Sequence, residues 1–561
     1  MSIRGWNRRL RSSLRNGLLV LALVSLVLPA APALAQTPDG GVPPAAYLPL
    51  INQGANGDSG ENGNGDLPSD VWGEIAGDLY TDVWASVGTG VWGAPPGDLV
   101  FDEAGNPVSE AAPANAAGAA NSNHFTPWRN DSLIFFVSDG MRQDAVEQAT
   151  TRGQMPAMAR LLRSGAKAAD NGLLTQAPPN TGAGWFTLAT GAWPAVTGST
   201  NNTFHKNGAA FTSRTASFDD GVLQAETLAQ SAERGGKKVV QIEWAGGRNG
   251  AINGPTVDYR GFFSGRGVAT NYISPTDDPN FTASFGLQFD HPAGFAGNAP
   301  FAGAAPAPAA GWSNVPTSYS PAQEMRLRVL DFGTDKYGLN AYIFDSSNDG
   351  VVNYNRVLLD FDKDGSSNAG ILKRGQWADV KVSLTGTSGG TLDGRTAGML
   401  VKVEELTPDL SKVRLFHTSV TRANATWAAW PGMAGFTGDF AEFIAQKFPT
   451  STAADFAILE AGIVSEDTYV QQGLYWERLY WPLTMYLVST YKPDLALVGY
   501  PVTDEFSHQF LGLVTRTLPN GAPNPAFDDV QVNGTPDGRL AQREGYLERA
   551  YAGADATLAL T

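Results

Sequence analysis

Two apolar runs lying far apart in the chain lead into aspartates, and together they restrict the fold more than any other feature. The first, Leu133-Ile134-Phe135-Phe136-Val137-Ser138, is followed by Asp139-Gly140; the second, Leu495-Ala496-Leu497-Val498-Gly499-Tyr500, leads into Asp504-Glu505-Phe506-Ser507-His508. Runs of this length and composition read as buried strands. Between them strand and helix signals alternate. One helix candidate carries Met155, Met158, Leu161 and Leu162 with Gly165 as its stop, another spans Ala225 to Arg234 and ends at Gly235-Gly236, and a strand follows from Lys238 to Trp244. Such alternation predicts an α/β fold, a sheet with helices on both faces. Ligands in these sheets collect beyond the carboxyl ends of the strands, where both Asp139 and Asp504 would sit.

The alternation breaks down between residues 254 and 447. Short β-type runs replace it, at Leu339 to Phe344, Arg356 to Phe361, Ala378 to Leu384, Gly398 to Val403 and Lys412 to Thr418, with Gly, Asn and Asp turns between them. This reads as a mostly β insertion in the α/β domain. Helical signal returns from Trp476 to Tyr491, and Leu540, Leu547, Tyr551 and Leu558 mark one face of a last helix. Within the insertion, Asp360-Phe361-Asp362-Lys363-Asp364-Gly365 has a spacing that suits calcium, but Ile371 stands where an EF-hand loop needs glutamate. An acidic β-turn is the simpler reading, and Asp345 to Gly350 is a weaker case of the same kind.

The amino terminus has the form of a secretory signal: five arginines before position 16, an apolar stretch from Leu18 to Leu28, and Ala33-Leu34-Ala35 as a cleavage site. The expectation is a secreted or periplasmic protein with no membrane span after cleavage. Loss of that signal would take the formal charge from −16 to −21, a surface that repels nucleic-acid duplexes and anionic membranes. With no cysteine, the chain has no thiol nucleophile, no thiolate zinc site and no disulfides. The expected organisation is a signal over 1–35, a flexible linker over 36–70, a poorly defined extension over 71–131, and an α/β domain made of 132–253 and 448–561 around the insertion 254–447.

Hydrolysis of a phosphate ester requires neutralised charge on the transferring group and a deprotonated nucleophile, and a pair of divalent cations held by carboxylates and imidazoles supplies both. Asp139, at a strand exit, has the right chemistry for such a site, and Asp504 with His508 would share one ion if their segment turns helically. Each also has an ordinary explanation, a turn aspartate before glycine and a surface ion pair. The order and spacing of further pieces add weight: Ser138-Asp139-Gly140-Met141-Arg142, Thr181 in a Pro-led loop, Thr187-Leu188-Ala189-Thr190-Gly191 with Pro194 and Gly198, Asn202, Gly235-Gly236-Lys237-Lys238-Val239 before Trp244, and Tyr500 with Asp504, His508 and Gly512. On these residues, over roughly 132–250 and 474–561, the chain resembles the nucleotide pyrophosphatase/phosphodiesterase branch of the alkaline phosphatase superfamily.

The resemblance implies an alkaline-phosphatase-like sheet and a two-zinc phosphoesterase acting on a small phosphorylated substrate. Thr181 would be the nucleophile, its oxygen also bound to one zinc beside Asp139, while Asp504 and His508 hold the other and Asn202 donates its amide to a phosphate oxygen. Two positions depart from the family, since Trp185 and Thr197 stand where histidine is frequent, so some contacts around the site must differ. The family also completes its metal site with an Asp-His pair and one further His after a helix like that of Gly545 to Leu560, and this sequence reads only to Thr561. None of His124, His205, His291 or His417 has a matching context. With two half-sets of ligands, weak zinc binding and poor activity are expected of this chain. A phosphomonoesterase, a phosphonate hydrolase, and a non-catalytic exported binding protein on the same scaffold stay open as alternatives.

Overall fold

The structure is a computed structural model that describes residues 132–561 except 169–175, 177–178, 249, 274–287, 292–300, 303, 332, 386–391 and 533, together with the short strands Val100–Phe101 and Pro107–Val108. The secretory signal, the linker, most of the extension and Pro178 lie outside the described residues.

Four parallel strands carry the site. In spatial order they are β1 (Leu133–Ser138), the last strand β9 (Leu495–Tyr500), β2 (Val239–Ile242) and β3 (Thr256–Phe262). Register puts Tyr500 opposite Ser138, so the chain leaves both strands at the same level, Asp139 donating its N–H to Tyr500 O at 2.9 Å. The sheet then continues through antiparallel pairs from the β-rich region: β8 (Thr421–Thr426) beside β3, and beyond it β6 (Thr396–Leu406), β7 (Val413–His417) and β4 (Gly267–Thr270), with β5 (Trp377–Ser383) also paired to β6. These strands extend the main sheet. A separate five-stranded sheet spans Ala307 to Leu372, and its Leu339, Ile343, Val357 and Leu359 share one apolar cluster with Val380 of β5, Met399 and Val401 of β6 and Leu415 of β7.

Helices cover both faces of the parallel strands, because alternate side chains of buried strands point to opposite sides. Val239, Leu495 and Leu497 pack with Trp185 and Ala189 of α3 (Thr181–Thr190) and Ala229 of α4 (Leu228–Arg234). Val240, Ile242, Ala496 and Val498 face the other way, onto α5 (Phe440–Lys447), α6 (Glu466–Tyr491) and α8 (Leu540–Leu560). The preceding helices α1 (Gln143–Thr151) and α2 (Pro156–Ser164) lean on α8, where Asp555 accepts the N–H groups of Ala157 and Met158 at 3.0 and 2.7 Å. No helix of the described residues is long and apolar enough to cross a membrane.

Several boundaries differ from the sequence reading for identifiable reasons. Helix α4 starts at Leu228 because Thr227 and Gln230 form a capping box. Strand β2 stops at Ile242 because Glu243 has φ +45°, outside the strand region. Helix α6 begins at Glu466, ten residues before Trp476, with Ser465 capping it and Arg539 and Arg543 pairing with Glu466. The Asp360–Gly365 string winds on its own backbone: Asp360 Oδ1 accepts from the N–H groups of Asp362 and Lys363 at 2.8 and 2.7 Å, and Asp364 Oδ1 from Ser366 at 3.1 Å.

Candidate active site

Asp139 leaves β1 and Asp504 lies in the short helix α7 (Val502–Phe506) that follows β9. Gly140 brings the two segments together. Its φ of +62° is a left-handed value suited to glycine, and a Cβ built there would stand 2.6 Å from Asp504 Oδ1 and 2.7 Å from Asp504 Cα. Asp139 Oδ1 accepts the N–H of Gly140 at 3.0 Å, and Oδ2 accepts the indole N–H of Trp185 at 2.9 Å. Thr503 ties the two exits further, donating to the Asp139 carbonyl and bonding Ser138 Oγ at 2.6 Å.

Beyond α7 the chain makes one π turn, Ser507–Leu511, the wider winding that occurs frequently at functional sites. Asp504 and His508 meet across it, with Oδ2 and Nε2 3.2 Å apart. Desolvation pushes Asp139 up to about 7, helped by the nearby Asp504 charge and opposed by the Trp185 and Gly140 hydrogen bonds and by His508. Burial and the same Asp504 raise Glu505 to about 8. For His508 desolvation acts downward, but the bond to Asp504 and the charges of Asp504, Glu505 and Asp139 prevail and lift it to about 9. One carboxylate thus bonds the imidazole while the charges of two others act on it from farther off, a field that favours cations.

Thr181 opens α3, with Asn180 as N-cap accepting from the Ala183 N–H at 3.3 Å. Asn202 is buried and accepts the Gly182 N–H on Oδ1 at 2.6 Å. A backbone N–H can only donate, so the oxygen of the Asn202 amide is the atom facing Gly182 and its NH2 is the half able to meet a phosphate oxygen. The loop that holds Asn202 is laced together: Asn180 Nδ2 donates to Asn201 Oδ1 at 2.6 Å, the Ser217 N–H to Asn202 O at 2.9 Å, and Ser199 Oγ to Ser217 Oγ at 3.0 Å. Gly182 is required here, since a Cβ would lie 2.1 Å from Ser217 Oγ.

The structure therefore brings Asp139, Asp504 and His508 into one cluster, and Thr181 with Asn202 into another. Helix α3 links them, because Trp185 lies one turn beyond Thr181 and bonds Asp139. Thr197, the other departure noted in the sequence, is buried at the end of the short helix Pro194–Thr197 and accepts from Ser199 N at 3.3 Å. Reasoning from sequence noted Gly140 and Trp185 without giving either its contact, and gave Thr503 and Glu505 no role; the four-residue spacing of Thr181 and Trp185 was the available signal that those two share a helix face. Carboxylate and imidazole are the donor types zinc takes. Among the described residues, no group of three or more His, Asp or Glu side chains is placed to hold a metal ion, so the donor set suits zinc in kind and falls short of it in number.

The sequence model of the type I phosphodiesterase / nucleotide pyrophosphatase family matches residues 133–293, a stretch that includes Asp139, Thr181, Trp185 and Asn202 and stops before Asp504 and His508. No curated protein and no solved structure matches the chain. The mixed sheet with helices on both faces agrees with the alkaline-phosphatase-like α/β fold that this match carries. Over residues 133–293 the chain is thus similar to the type I phosphodiesterase / nucleotide pyrophosphatase family, a likeness that supports a phosphoesterase activity.

Proposed function

We propose that the protein is an exported, zinc-dependent phosphoesterase that cleaves phosphodiester or nucleotide-type substrates through Thr181. One observation carries this reading: a single helix bears the Thr181 hydroxyl and, one turn on, the indole bonded to Asp139, while the neighbouring Gly182 is bonded to Asn202. The Thr181 hydroxyl gives up its proton and its oxygen forms the new bond to phosphorus as the ester oxygen of the leaving group departs with its electron pair and takes up a proton. Water then cleaves the phosphothreonine and regenerates the hydroxyl. The Asn202 NH2 donates to a non-bridging oxygen as charge grows there, and its locked oxygen means no reorientation is needed. Zinc bound by Asp139 with Thr181 and by Asp504 with His508, together with ligands beyond these four, would lower the pKa of the threonine hydroxyl and offset the phosphate charge.

The test is hydrolysis of bis(p-nitrophenyl) phosphate by the protein, by Thr181→Ala, by Asn202→Ala, and by protein treated with a chelator and then resupplied with zinc. Expected are loss of turnover in Thr181→Ala, a decrease of about 100-fold or more in Asn202→Ala, and zinc-dependent recovery. Wild-type turnover in Thr181→Ala would remove the nucleophile from this scheme.

A further inference from the structure

Trp185 belongs to the site in a way that neither the motif order nor the family match assigns. Its side chain is 4% exposed and its indole N–H ends on Asp139 Oδ2 at 2.9 Å. The ring has little freedom to lie anywhere else. Trp244 meets it edge-on with centroids 5.0 Å apart and planes at 90°, and the strand passes it at Gly499, where a Cβ would come 3.2 Å from the Trp185 ring. On the main-chain side, a Cβ at Gly246 would fall 2.6 Å from Trp185 O.

We propose that Trp185 is a positioning residue, which orients the Asp139 carboxylate relative to the Thr181 hydroxyl that stands one turn earlier on the same helix. The inference rests on Asp139 and Thr181 acting in the site described above. An indole N–H only donates, so it holds a carboxylate oxygen and gives no alternative partner that would let Asp139 rotate. The Gly140 N–H holds the other oxygen at 3.0 Å. With both oxygens bonded, the carboxylate keeps one orientation, and one lone pair on each oxygen is left for a ligand. Helix α3 transmits the register: displacing the indole frees Asp139 without moving Thr181.

Two measurements on the full chain test this. With 15N-labelled tryptophan, the indole resonance absent from Trp185→Phe identifies Trp185, and Asp139→Asn is expected to move that resonance; an unmoved resonance would overturn the proposed bond whether or not the protein turns over substrate. In the diester assay, Trp185→Phe is expected to lower kcat about 10- to 100-fold with KM within about twofold, as loss of a partner that orients a ligand does. Trp185→His should recover most of it, since the histidine Nε2–H occupies the same ring position as the indole N–H. Wild-type kcat in Trp185→Phe alongside an inactive Thr181→Ala would refute the positioning role and leave the nucleophile standing. Wild-type kcat in both would instead refute the reading on which it rests. Equal losses in the Phe and His variants would show that packing, not the N–H, is what matters.

Discussion

Replacing Gly140 with alanine tests the closest approach in the site, that of the Asp139 turn to the Asp504 helix. Two costs add. A left-handed conformation at φ +62° disfavours any Cβ by about 1–2 kcal/mol. The new carbon would also lie 2.7 Å from Asp504 Cα, about 1 Å inside the optimum for carbon pairs. Backbone cannot rotate away as a side-chain tip can, and Asp504 N is held to Pro501 O at 3.1 Å while Asp139 N is held to Tyr500 O at 2.9 Å. Relief needs the two strand exits to separate, an overpacking cost of about 1–3 kcal/mol. Gly140→Ala should thus lose about 2–5 kcal/mol. Gly153 supplies the control, because its φ is +79° and nothing lies within 4 Å of a Cβ there; Gly153→Ala should lose only the conformational part, about 1–2 kcal/mol. Urea denaturation followed by tryptophan fluorescence, run on both variants under one set of conditions, gives the difference. If Gly140→Ala proves no more costly than Gly153→Ala within about 0.5 kcal/mol, Asp139 and Asp504 do not approach as described, and the site loses its foundation.

Three further outcomes are expected. Burial lowers the buried His417 to about 4 from an ordinary 6.5; the unfolded chain then takes up a proton first as pH falls, so stability is complete above pH 6.5 and declines by about 3 kcal/mol down to pH 4. That part of the pH dependence should vanish in His417→Asn, and a variant with the wild-type pH profile of urea midpoints would contradict it. Glu477, with a side chain 4% exposed, accepts from Arg549 at 2.6 Å and from the Tyr500 hydroxyl at 2.8 Å, so Arg549→Met should cost about 3–5 kcal/mol by stranding a buried anion. Most of that cost should return in the double variant Arg549→Met/Glu477→Leu, and a double variant as unstable as the single one would argue against the pairing. Gly182→Ala should push Ser217 aside and with it the Asn202 loop, lowering kcat by about 100-fold, with partial recovery when Ser217→Gly removes the obstructing side chain; wild-type kcat in the single variant would refute the tight fit.

Much of the fold was legible because its buried strands are short apolar runs with recognisable ends. Leu495–Tyr500 and Leu133–Ser138 both matched their readings residue for residue, since continuous apolar runs carry no polar alternation to confuse the pattern. Helix α6 was harder. Its first turns carry Glu466, Asp467, Gln471 and Gln472, which look like loop in a sequence, yet arginines from a segment about seventy residues later neutralise Glu466 and Asp467. Long-range charge pairing of that kind leaves no local signature. The break in β2 at Glu243 was equally hidden: that residue takes φ +45° and pairs with buried Arg260 at 2.9 Å on the neighbouring strand.

The site divided along the same line. Local chemistry picked out Asp139, Asp504 and His508, because acids after strands and an i, i+4 pair are features of neighbouring residues, while Thr181 and Asn202 were reached through the motif order that carries the resemblance. What only the tertiary structure decided was how these residues face one another: that Gly140 lets two strand exits touch, that the strands of the β-rich region prolong the main sheet, and that Trp185 reaches Asp139. In sequence Trp185 was an exception to a family habit, a large apolar ring with one donor. Its role depends on where a strand far from it in the chain stops, and that is set by parallel register and helix packing, which join residues no local pattern connects.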